Sequence, residues 1–399
     1  MIKVERVFDP KGIAKIDSRL GLGDIQIASG NGDQIHLGAR IHSNREEELE
    51  TQIVGDTLTI QQNVVDIGRN RRIDVTLTLP TGIDADLSLH TGKGDLKVSQ
   101  VSGAHNLASG KGDISVSGGR GLLTVGTGYG DIAVSEQRGA AVLETGKGDV
   151  TVSALAGTLK INSGAGDATI RNWNSGDASN GKTARKNSVN LGAGDVGVRY
   201  ANARELAINT AKGDCRLHSV RIANLQITTS KGDIAVDGEP ASGEWRATTV
   251  KGDISMRMPA QVGVRVEAAT RRGKIDSDLP QVRVGRPGPA SRFGGGRTIG
   301  VVGDEPRADI QLETVMGDIV VRTVGAIPVA IEEPSARSES VLAPLQPEVV
   351  DPGQKPVAAL PPTQPVQTRS ENTAMEILES LSNGEITVEE AESLLRIVD

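Results

Sequence analysis

The chain of 399 residues has one cysteine and very few aromatic residues, and each scarcity excludes a class of protein. A lone Cys215 cannot form an intrachain disulfide, so the chain is not a disulfide-stabilised scaffold. We expect it to be a small buried hydrophobe. Tryptophan, tyrosine and phenylalanine occur twice each, too few for a wide globular core. A thin interior filled by Ile, Val and Leu is the expected alternative.

Long apolar runs are also missing. No stretch approaches the 18 or more apolar residues of a membrane span, and the first eight residues, from Met1 to Phe8, lack a signal-peptide apolar segment. We therefore expect a cytoplasmic protein and leave a surface location open. The net charge is −7, and residues 327–399 hold 13 acids and 4 bases, so the rest is nearly neutral. The absence of a broad basic field argues against nucleic acid as the main partner.

The most regular feature of the sequence is the dipeptide Gly-Asp. It recurs every 18 residues through five units, and after an insertion every 19 or 20. The pairs are Gly94-Asp95, Gly112-Asp113, Gly130-Asp131, Gly148-Asp149, Gly166-Asp167, Gly194-Asp195, Gly213-Asp214, Gly232-Asp233, Gly252-Asp253 and Gly317-Asp318, with Lys274 in the aspartate place after Gly273. A fixed period of this size indicates a repeat architecture of stacked coils. The invariant glycine suits a turn that needs positive φ.

The residues around each aspartate predict two strands per coil. Apolar residues stand one and three places after it, as in Ile132 and Val134, with a polar or small residue between them. Apolar residues also stand six and eight places before it, and a Ser or Thr stands four places before it. This alternation predicts half-buried strands with one inward face. The hydroxyls are expected on that inward face, hydrogen-bonded to one another and to the turn backbone up the stack.

The pattern divides the chain into four parts. Residues 1–80 are expected to be lead-in and capping strands, and residues 81–326 the solenoid, with loop insertions near 172–188 and 281–305. Nine prolines in 327–371 predict a disordered linker, and residues 372–399 predict a helical hairpin. The hairpin is marginal alone, so its apolar face is expected to dock on a partner or on another copy. That face comprises Ile377, Leu378, Leu381, Leu394 and Leu395.

The sequence contains no strong motif for metal binding or catalysis. The Gly-x-Gly-Asp turn is similar to calcium-binding repeats, but calcium needs six to eight oxygens and each coil supplies one aspartate. A lysine two places before the aspartate in six coils favours charge compensation instead, so no cofactor is expected. Polysaccharide-cleaving β-helices need paired carboxylates at set separations, which this series of equivalent turn aspartates does not supply. The five histidines show no metal spacing; they are His36, His42, His90, His105 and His218.

Several longer motifs carry a family likeness. The segments Leu79–Gly82, Met258–Pro259, Glu267–Ile275 and Leu312–Ile319, with the Thr-Gly-Lys-Gly-Asp turns, resemble the bacterial putative-adhesin family of β-strand-repeat proteins. That family is a domain of unknown function, and the resemblance implies a right-handed single-stranded parallel β-helix over about residues 10–325. The residues around Asn383–Thr387 resemble a SHOCT-like helical module. Some relatives of the β-strand-repeat family carry such a module, and some of those relatives are linked to cell-envelope stress responses.

The fold class expected is therefore all-β, a right-handed single-stranded parallel β-helix with about 18–20 residues per coil, plus a small C-terminal α-helical hairpin. The function expected is non-enzymatic: a scaffold that presents a solenoid surface to an unknown protein or a surface glycan. The alternative is self-assembly through the solenoid ends, with edge strands around Ile310, Thr314 and Ile319–Val321 as the contact. A polysaccharide-active β-helix enzyme is a remote alternative.

Overall fold

A computed structural model describes residues 1–42, 48–63, 72–175, 186–285, 296–302 and 306–325; of residues 281–285 it describes the backbone alone. Within these residues the chain forms 29 β-strands. They are β1 (Ile2–Phe8), β2 (Lys15–Leu22), β3 (Ile25–Gly30), β4 (Ile35–Ile41), β5 (Leu49–Val54), β6 (Thr57–Gln62), β7 (Ile73–Pro80), β8 (Asp86–Lys93), β9 (Leu96–Ser99), β10 (His105–Lys111), β11 (Ile114–Ser117), β12 (Leu123–Tyr129), β13 (Ile132–Ser135), β14 (Ala141–Lys147), β15 (Val150–Ala156), β16 (Leu159–Ala165), β17 (Ala168–Asn174), β18 (Ser188–Ala193), β19 (Val196–Lys212), β20 (Cys215–Lys231), β21 (Ile234–Pro240), β22 (Gly243–Lys251), β23 (Ile254–Pro259), β24 (Val264–Arg272), β25 (Ile275–Ser277), β26 (Gln281–Gly285), β27 (Gly296–Val302), β28 (Ala308–Met316) and β29 (Ile319–Val324).

Each coil contributes one strand before its Gly-Asp turn and one after it. The strands before the turn stack in parallel register as a first column, so that Leu107 lies beside Leu89 and Val125. The strands after the turn stack as a second column, in which Ile132 pairs with Val150. Strands β19 and β20 run 17 residues each and belong to both columns. The all-β, parallel-stranded solenoid predicted from the sequence is confirmed.

The inward residues of these columns form one continuous apolar core. Isoleucine, leucine and valine at the predicted inward positions are almost fully buried, as at Ile132 and Leu143. The two tryptophans, Trp173 and Trp245, are also fully buried. Each indole Nε1 donates to a backbone carbonyl, Trp173 to Gly157 and Trp245 to Ile222, both at 2.9 Å. A buried ring with its polar atom satisfied costs nothing in lost hydrogen bonding.

The order of coils in space differs from their order in the chain at the C-terminal end. Strand β28 pairs with β22 on one side and with β24 on the other, and β29 lies between β23 and β25 in the same way. The last coil is therefore inserted between two earlier ones. The expectation that Ile310, Thr314 and Ile319–Val321 form the free edge is wrong, because both their strands are paired on both sides.

The N-terminal end has the same arrangement. Strand β2 lies between β6 and β8, and β3 lies between β7 and β9, so the first coil in the chain is the second in the stack. Antiparallel strands complete both ends. Strands β4 and β1 extend the sheet beyond β7, β5 covers β6, and β27 and β26 extend it beyond β24.

The predicted loop insertions contain more strand than their composition suggested. Strand β17 continues through Asn174, and β26 and β27 lie within 281–305. The remaining parts of those segments, residues 176–185, 286–295 and 303–305, lie outside the described residues, as do the predicted linker (327–371) and helical hairpin (372–399). In the described part of the chain, no helix is long and apolar enough to cross a membrane.

Candidate binding surfaces

The Gly-Asp turns form one uninterrupted row along the solenoid. The backbone N–H of each aspartate donates to Oδ1 of the aspartate in the adjacent coil, at 2.7 to 3.2 Å. The row begins at Asp74, passes through Asp24, and ends where Lys274 donates its N–H to Asp318. Its intermediate members are Asp95, Asp113, Asp131, Asp149, Asp167, Asp195, Asp214, Asp233 and Asp253. Each carboxylate thus satisfies a turn N–H, which is a structural role.

The row includes Asp24 and Asp74, so the regular stack extends into residues 1–80. Burial opposes a charge on Asp74, but hydrogen bonds from the Asp24 N–H, His42 and Arg72 outweigh it and lower the pKa of this carboxyl. An ionised carboxylate that accepts several hydrogen bonds anchors the terminal turn of the row. The first residues of the chain therefore help to build the solenoid as well as to cap it.

The lysines two places before the aspartates do not pair with them directly. Within the described residues no lysine of this column lies in an ion pair, and two of them face an aromatic ring instead. Any compensation of the aspartate row by lysine is therefore a longer-range effect. The described residues also contain no group of three or more His, Cys, Asp or Glu side chains placed to hold a metal ion.

The hydroxyl column lies inward, beside the turns. Thr127 donates to the carbonyl of Gly112, and Thr249 donates to that of Gly232, one coil away. The same contact recurs at Thr91, Ser109, Thr145, Thr210, Thr229, Thr270 and Thr314. These side chains hold adjacent turns together, which confirms the predicted bonds to the turn backbone; within the described residues no two of the hydroxyls bond to each other, and the Ser163 hydroxyl has no hydrogen-bond partner.

Two buried titratable side chains, Cys215 and His105, have shifted pKa values. Burial raises the pKa of the Cys215 thiol to about 12, and the Asp214 and Asp195 carboxylates act in the same direction. Burial lowers the pKa of His105, whose Nε2 contacts the carbonyl of Val101 at 3.0 Å. Neither group is poised for catalysis at neutral pH, because the thiol stays protonated and the imidazole stays neutral.

The outer surface of the first column carries a groove of about 980 Å³. It crosses six strands, from β10 to β19, and part of β20, and its floor is made of glycine and other small residues. Four of these glycines, Gly128, Gly146, Gly164 and Gly192, stand three places before an aspartate. A Cβ at Gly146 would lie 2.5 Å from the carbonyl oxygen of Gly128, so the same glycines also let the strands approach. Because these glycines have no side chain, the floor of the groove is flat.

A ladder of amides runs along this groove. Asn209 donates its Nδ2 to Oδ1 of Asn190, Asn190 donates to Asn162, and Asn162 donates to the Glu144 carboxylate, each at 2.9 Å. The contacts all point the same way, which fixes the orientation of every amide. Each asparagine uses one of its two N–H donors in the ladder, so its second donor and a lone pair of its carbonyl oxygen are not used by the ladder. Among the residues that the structure describes, Glu144 is the only carboxylate in the lining of the groove.

Tyr129 stands at the rim of the groove, next to its lining residue Gly128. Its side chain is 54% exposed. The ammonium groups of Lys111 and Lys147 lie 5.4 and 5.6 Å from its ring centroid. These distances are within the range of cation–π attraction. The lysines hold the ring in place while leaving it open to solvent.

Sequence reasoning missed these outward residues because it followed only the inward columns. Asn162, Asn190 and Asn209 stand five places before their aspartates, and Glu144 occupies the same place in the preceding coil. A comparison of the residues five places before each aspartate would have predicted that these four side chains form one line, since the strands pair in register. The predicted hairpin face (Ile377, Leu378, Leu381, Leu394 and Leu395) lies outside the described residues.

Comparison with known proteins gives one family. The Toastrack DUF4097 family model matches the chain twice, over residues 13–180 and 143–322. The predicted relation to a β-strand-repeat family of unknown function is thereby confirmed; the SHOCT-like relation is not supported by this match. No curated protein matches the sequence significantly.

The solved structures that match the chain are distant from it in sequence. A putative adhesin from Parabacteroides distasonis is 11% identical, with a TM-score of 0.28, over 81% of this chain and 97% of that chain. A putative lipid binding protein from the same species is 13% identical, with a TM-score of 0.27, over 80% of this chain and 96% of that chain. A putative cell adhesion protein from Clostridium sporogenes is 11% identical, with a TM-score of 0.20, over 81% and 99%. Likenesses this low support no functional conclusion about this chain.

Proposed function

Because this chain belongs to the Toastrack DUF4097 family, whose repeats here build a grooved parallel sheet, we propose that it is a non-enzymatic binding protein. Its ligand is an extended, hydroxyl-rich polymer, a glycan, that lies in the groove along the solenoid axis. The observation that carries the proposal is the ladder Asn209–Asn190–Asn162–Glu144 on a flat glycine floor. Binding of this kind would be adhesin-like, and the link to cell-envelope stress stays a prediction.

The geometry suits a polymer because the surface repeats. Adjacent strands of a sheet lie about 4.7–4.9 Å apart, so each asparagine presents the same outward donor and acceptor at that interval. Sugar hydroxyls both donate and accept, and can therefore bond to each outward amide in turn. Tyr129 adds an exposed ring at the rim, where an apolar sugar face can pack.

The groove favours binding over hydrolysis. Glycoside hydrolysis ordinarily requires two carboxylates that flank the scissile bond, and the described part of the lining supplies one, Glu144. It is also engaged by the Asn162 amide at 2.9 Å. A site with one acceptor carboxylate and a row of neutral amides can hold a sugar chain but lacks a second acid–base group.

Binding is tested with the full chain on an array of soluble polysaccharides, followed by calorimetry on any that bind. Replacing Asn190 by alanine interrupts the ladder at its centre, and we expect affinity to fall at least about fivefold, the equivalent of one lost hydrogen bond. Asn106→Ala is the matched control, since Asn106 is exposed on β10 outside the groove. Equal losses in both variants, or no polysaccharide bound, would contradict the proposal.

The absence of catalysis needs its own measurement. Any bound polysaccharide is incubated with the protein, and new reducing ends are counted over time. We expect none above buffer. Release of reducing ends that Glu144→Gln abolishes would identify an enzyme and reject the non-enzymatic assignment. Fractionation of the native host then shows whether the protein reaches the compartment where the polysaccharide is found.

Self-association through the solenoid ends is a second candidate, favoured by apolar exposure at one end. Val7 on β1 and Ile53 and Val54 on β5 are 52%, 50% and 60% exposed. Within the described residues each of these strands pairs on one side only, β1 with β4 and β5 with β6. Unpaired strand edges with apolar side chains are suited to pairing with another copy.

A further inference from the structure

A second depression, on the outer surface of the second column, has a different chemistry. We call it the arginine trough and define it by Arg199, Tyr200, Arg216, His218 and Arg257. Its volume is about 800 Å³. Most of the floor is made of small outward residues two places after the aspartates, namely Thr169, Gly197, Ala235 and Ser255. Arg216 holds the same place between Gly197 and Ala235 and rises from the floor, whereas Arg199 and Arg257 stand beside it as a wall.

The wall is a row of register partners. Four places after successive aspartates stand Arg171, Arg199, His218, Asp237 and Arg257. Strand pairing places Arg171 beside Arg199, Arg199 beside His218, His218 beside Asp237, and Asp237 beside Arg257. At about 4.7–4.9 Å per strand, Arg199 and Arg257 are about 14 Å apart along the solenoid axis. The opposite wall holds the turn aspartates, including Asp167 and Asp195.

The positive groups divide into engaged and free ones. Arg216 is engaged by Asp195 at 3.3 Å and by Asp214 at 2.6 Å. His218 contacts the Asp237 carboxylate through Nδ1 at 2.9 Å, and the edge of the Tyr200 ring packs against it. The side chains of Arg199 and Arg257 are exposed, and their guanidinium groups make no hydrogen bond or ion pair with any other described residue.

We propose that the arginine trough binds an extended anionic molecule that carries at least two carboxylate or phosphate groups. Arg199 and Arg257 each receive one anionic group, since a guanidinium offers a planar fork of donors that matches carboxylate and phosphate oxygens. Arg171, one strand beyond Arg199, adds positive charge at that end. The turn aspartates repel the ligand from the opposite wall, and Asp237, which stands in the row between His218 and Arg257, keeps the two anionic groups apart at the two arginines.

Anion binding here does not depend on the groove of the first column, because the two surfaces have no described lining residue in common. An acidic oligosaccharide and a phosphate polymer both have the required chemistry. Calorimetry with the full chain therefore uses oligogalacturonate and inorganic polyphosphate as separate probes, with citrate as a compact anion that is too short to span about 14 Å. We expect one of the two extended probes to bind, and to bind more tightly than citrate.

Three variants locate the binding. Arg199→Gln and Arg257→Gln are each expected to weaken the extended probe at least about fivefold. Lys97→Gln is the matched control. Lys97 is an exposed cation on the outer surface of the same column, and its replacement by glutamine removes the same charge. Its affinity should stay within about 1.5-fold of the wild type, since a distant exposed charge is screened. Circular dichroism verifies that each variant is folded.

Three results would overturn the proposal: no binding of either extended probe at physiological salt, citrate as tight as the extended probes, or equal weakening by Lys97→Gln and Arg199→Gln. The last would mean that anions bind to diffuse surface charge. The variant Asn190→Ala separates the two surfaces, since it should leave anion binding unchanged even if glycan binding in the groove is lost or was never present.

Discussion

A single methyl group at the turn glycines decides whether adjacent coils can stack. Gly148 has φ +148°, and a Cβ there would lie 2.0 Å from the carbonyl oxygen of Gly130. Gly126 lies in the strand before an adjacent turn, and a Cβ at this position would have no atom within 4 Å. We expect Gly148→Ala to lower the free energy of unfolding by at least about 2 kcal/mol and Gly126→Ala to change it little. Urea denaturation of the two variants measures this; equal effects would contradict the steric role of the turn glycine.

His105 gives the fold a dependence on pH. Its pKa in the folded state lies below the ordinary value of 6.5, because burial disfavours the charged form. As pH falls through 6.5 the unfolded chain binds a proton that the folded chain does not, so stability falls with pH from there down to the folded pKa. His105→Leu, a residue that matches its register neighbours Leu87 and Leu123, should remove this component.

The measurement is urea denaturation at pH 7 and pH 5. The loss of stability between the two should be smaller in His105→Leu than in the wild type. His36→Gln, a substitution at an exposed histidine, controls for the loss of an imidazole as such. A loss of stability in His105→Leu equal to that of the wild type would show that His105 does not contribute to the acid sensitivity.

Strand identity could be read from the sequence, whereas strand order at the ends could not. Ile132, Val134 and the alternation around them determine an inward face by parity alone. Every coil, however, offers the same Gly-Asp turn and the same apolar spacing to its neighbours. The pairing of β28 with both β22 and β24 is therefore decided by long-range packing, and no local signal distinguishes it from pairing in chain order.

Because the last coil is inserted between two earlier ones, its removal by truncation is expected to destabilise the solenoid. A chain that ends at Val302 lacks β28 and β29, which removes the one parallel neighbour that β24 has among the described strands and one of the two that β22 has. We expect its melting temperature to fall by more than about 10 °C, whereas a chain that ends at Gly325 should melt close to the full chain. Thermal circular dichroism of both truncations tests the order of coils. Similar melting of the two would mean that β24 closes directly on β22 and that the last coil is dispensable.

At the scale of the whole molecule, the repeat period explains why the fold could be predicted from the sequence and the outward surfaces could not. Repetition makes each column uniform, so the inward columns establish the fold while the outward columns carry whatever is specific to this chain. The outward columns break their own pattern at Glu144, Asn162 and Tyr129 on one surface and at Arg199 and Arg257 on the other. Function in a regular solenoid is therefore best sought where an outward column changes residue type.

Whether the protein self-associates depends on the edge strands at the ends of the solenoid. Exposed Val7, Ile53 and Val54 lie on edge strands β1 and β5, but Lys3 and Glu5 place charge on β1, and charged edges resist pairing with another copy. We expect light scattering to give a monomer mass that is constant across a concentration series, for the full chain and for residues 1–325. Ile53→Lys should leave this mass unchanged.

Concentration-dependent growth that Ile53→Lys suppresses would instead establish end-to-end assembly through β5. Growth of residues 1–325 alone, with the full chain monomeric, would show that the acidic residues 327–399 restrain the ends, which is consistent with the 13 acids and 4 bases they hold. Raising the salt concentration would then be expected to promote growth of the full chain, because a restraint exerted by net charge is screened over about 10 Å at 0.1 M salt and about 3 Å at 1 M. A full chain that stays monomeric at high salt would assign the restraint to steric cover rather than charge.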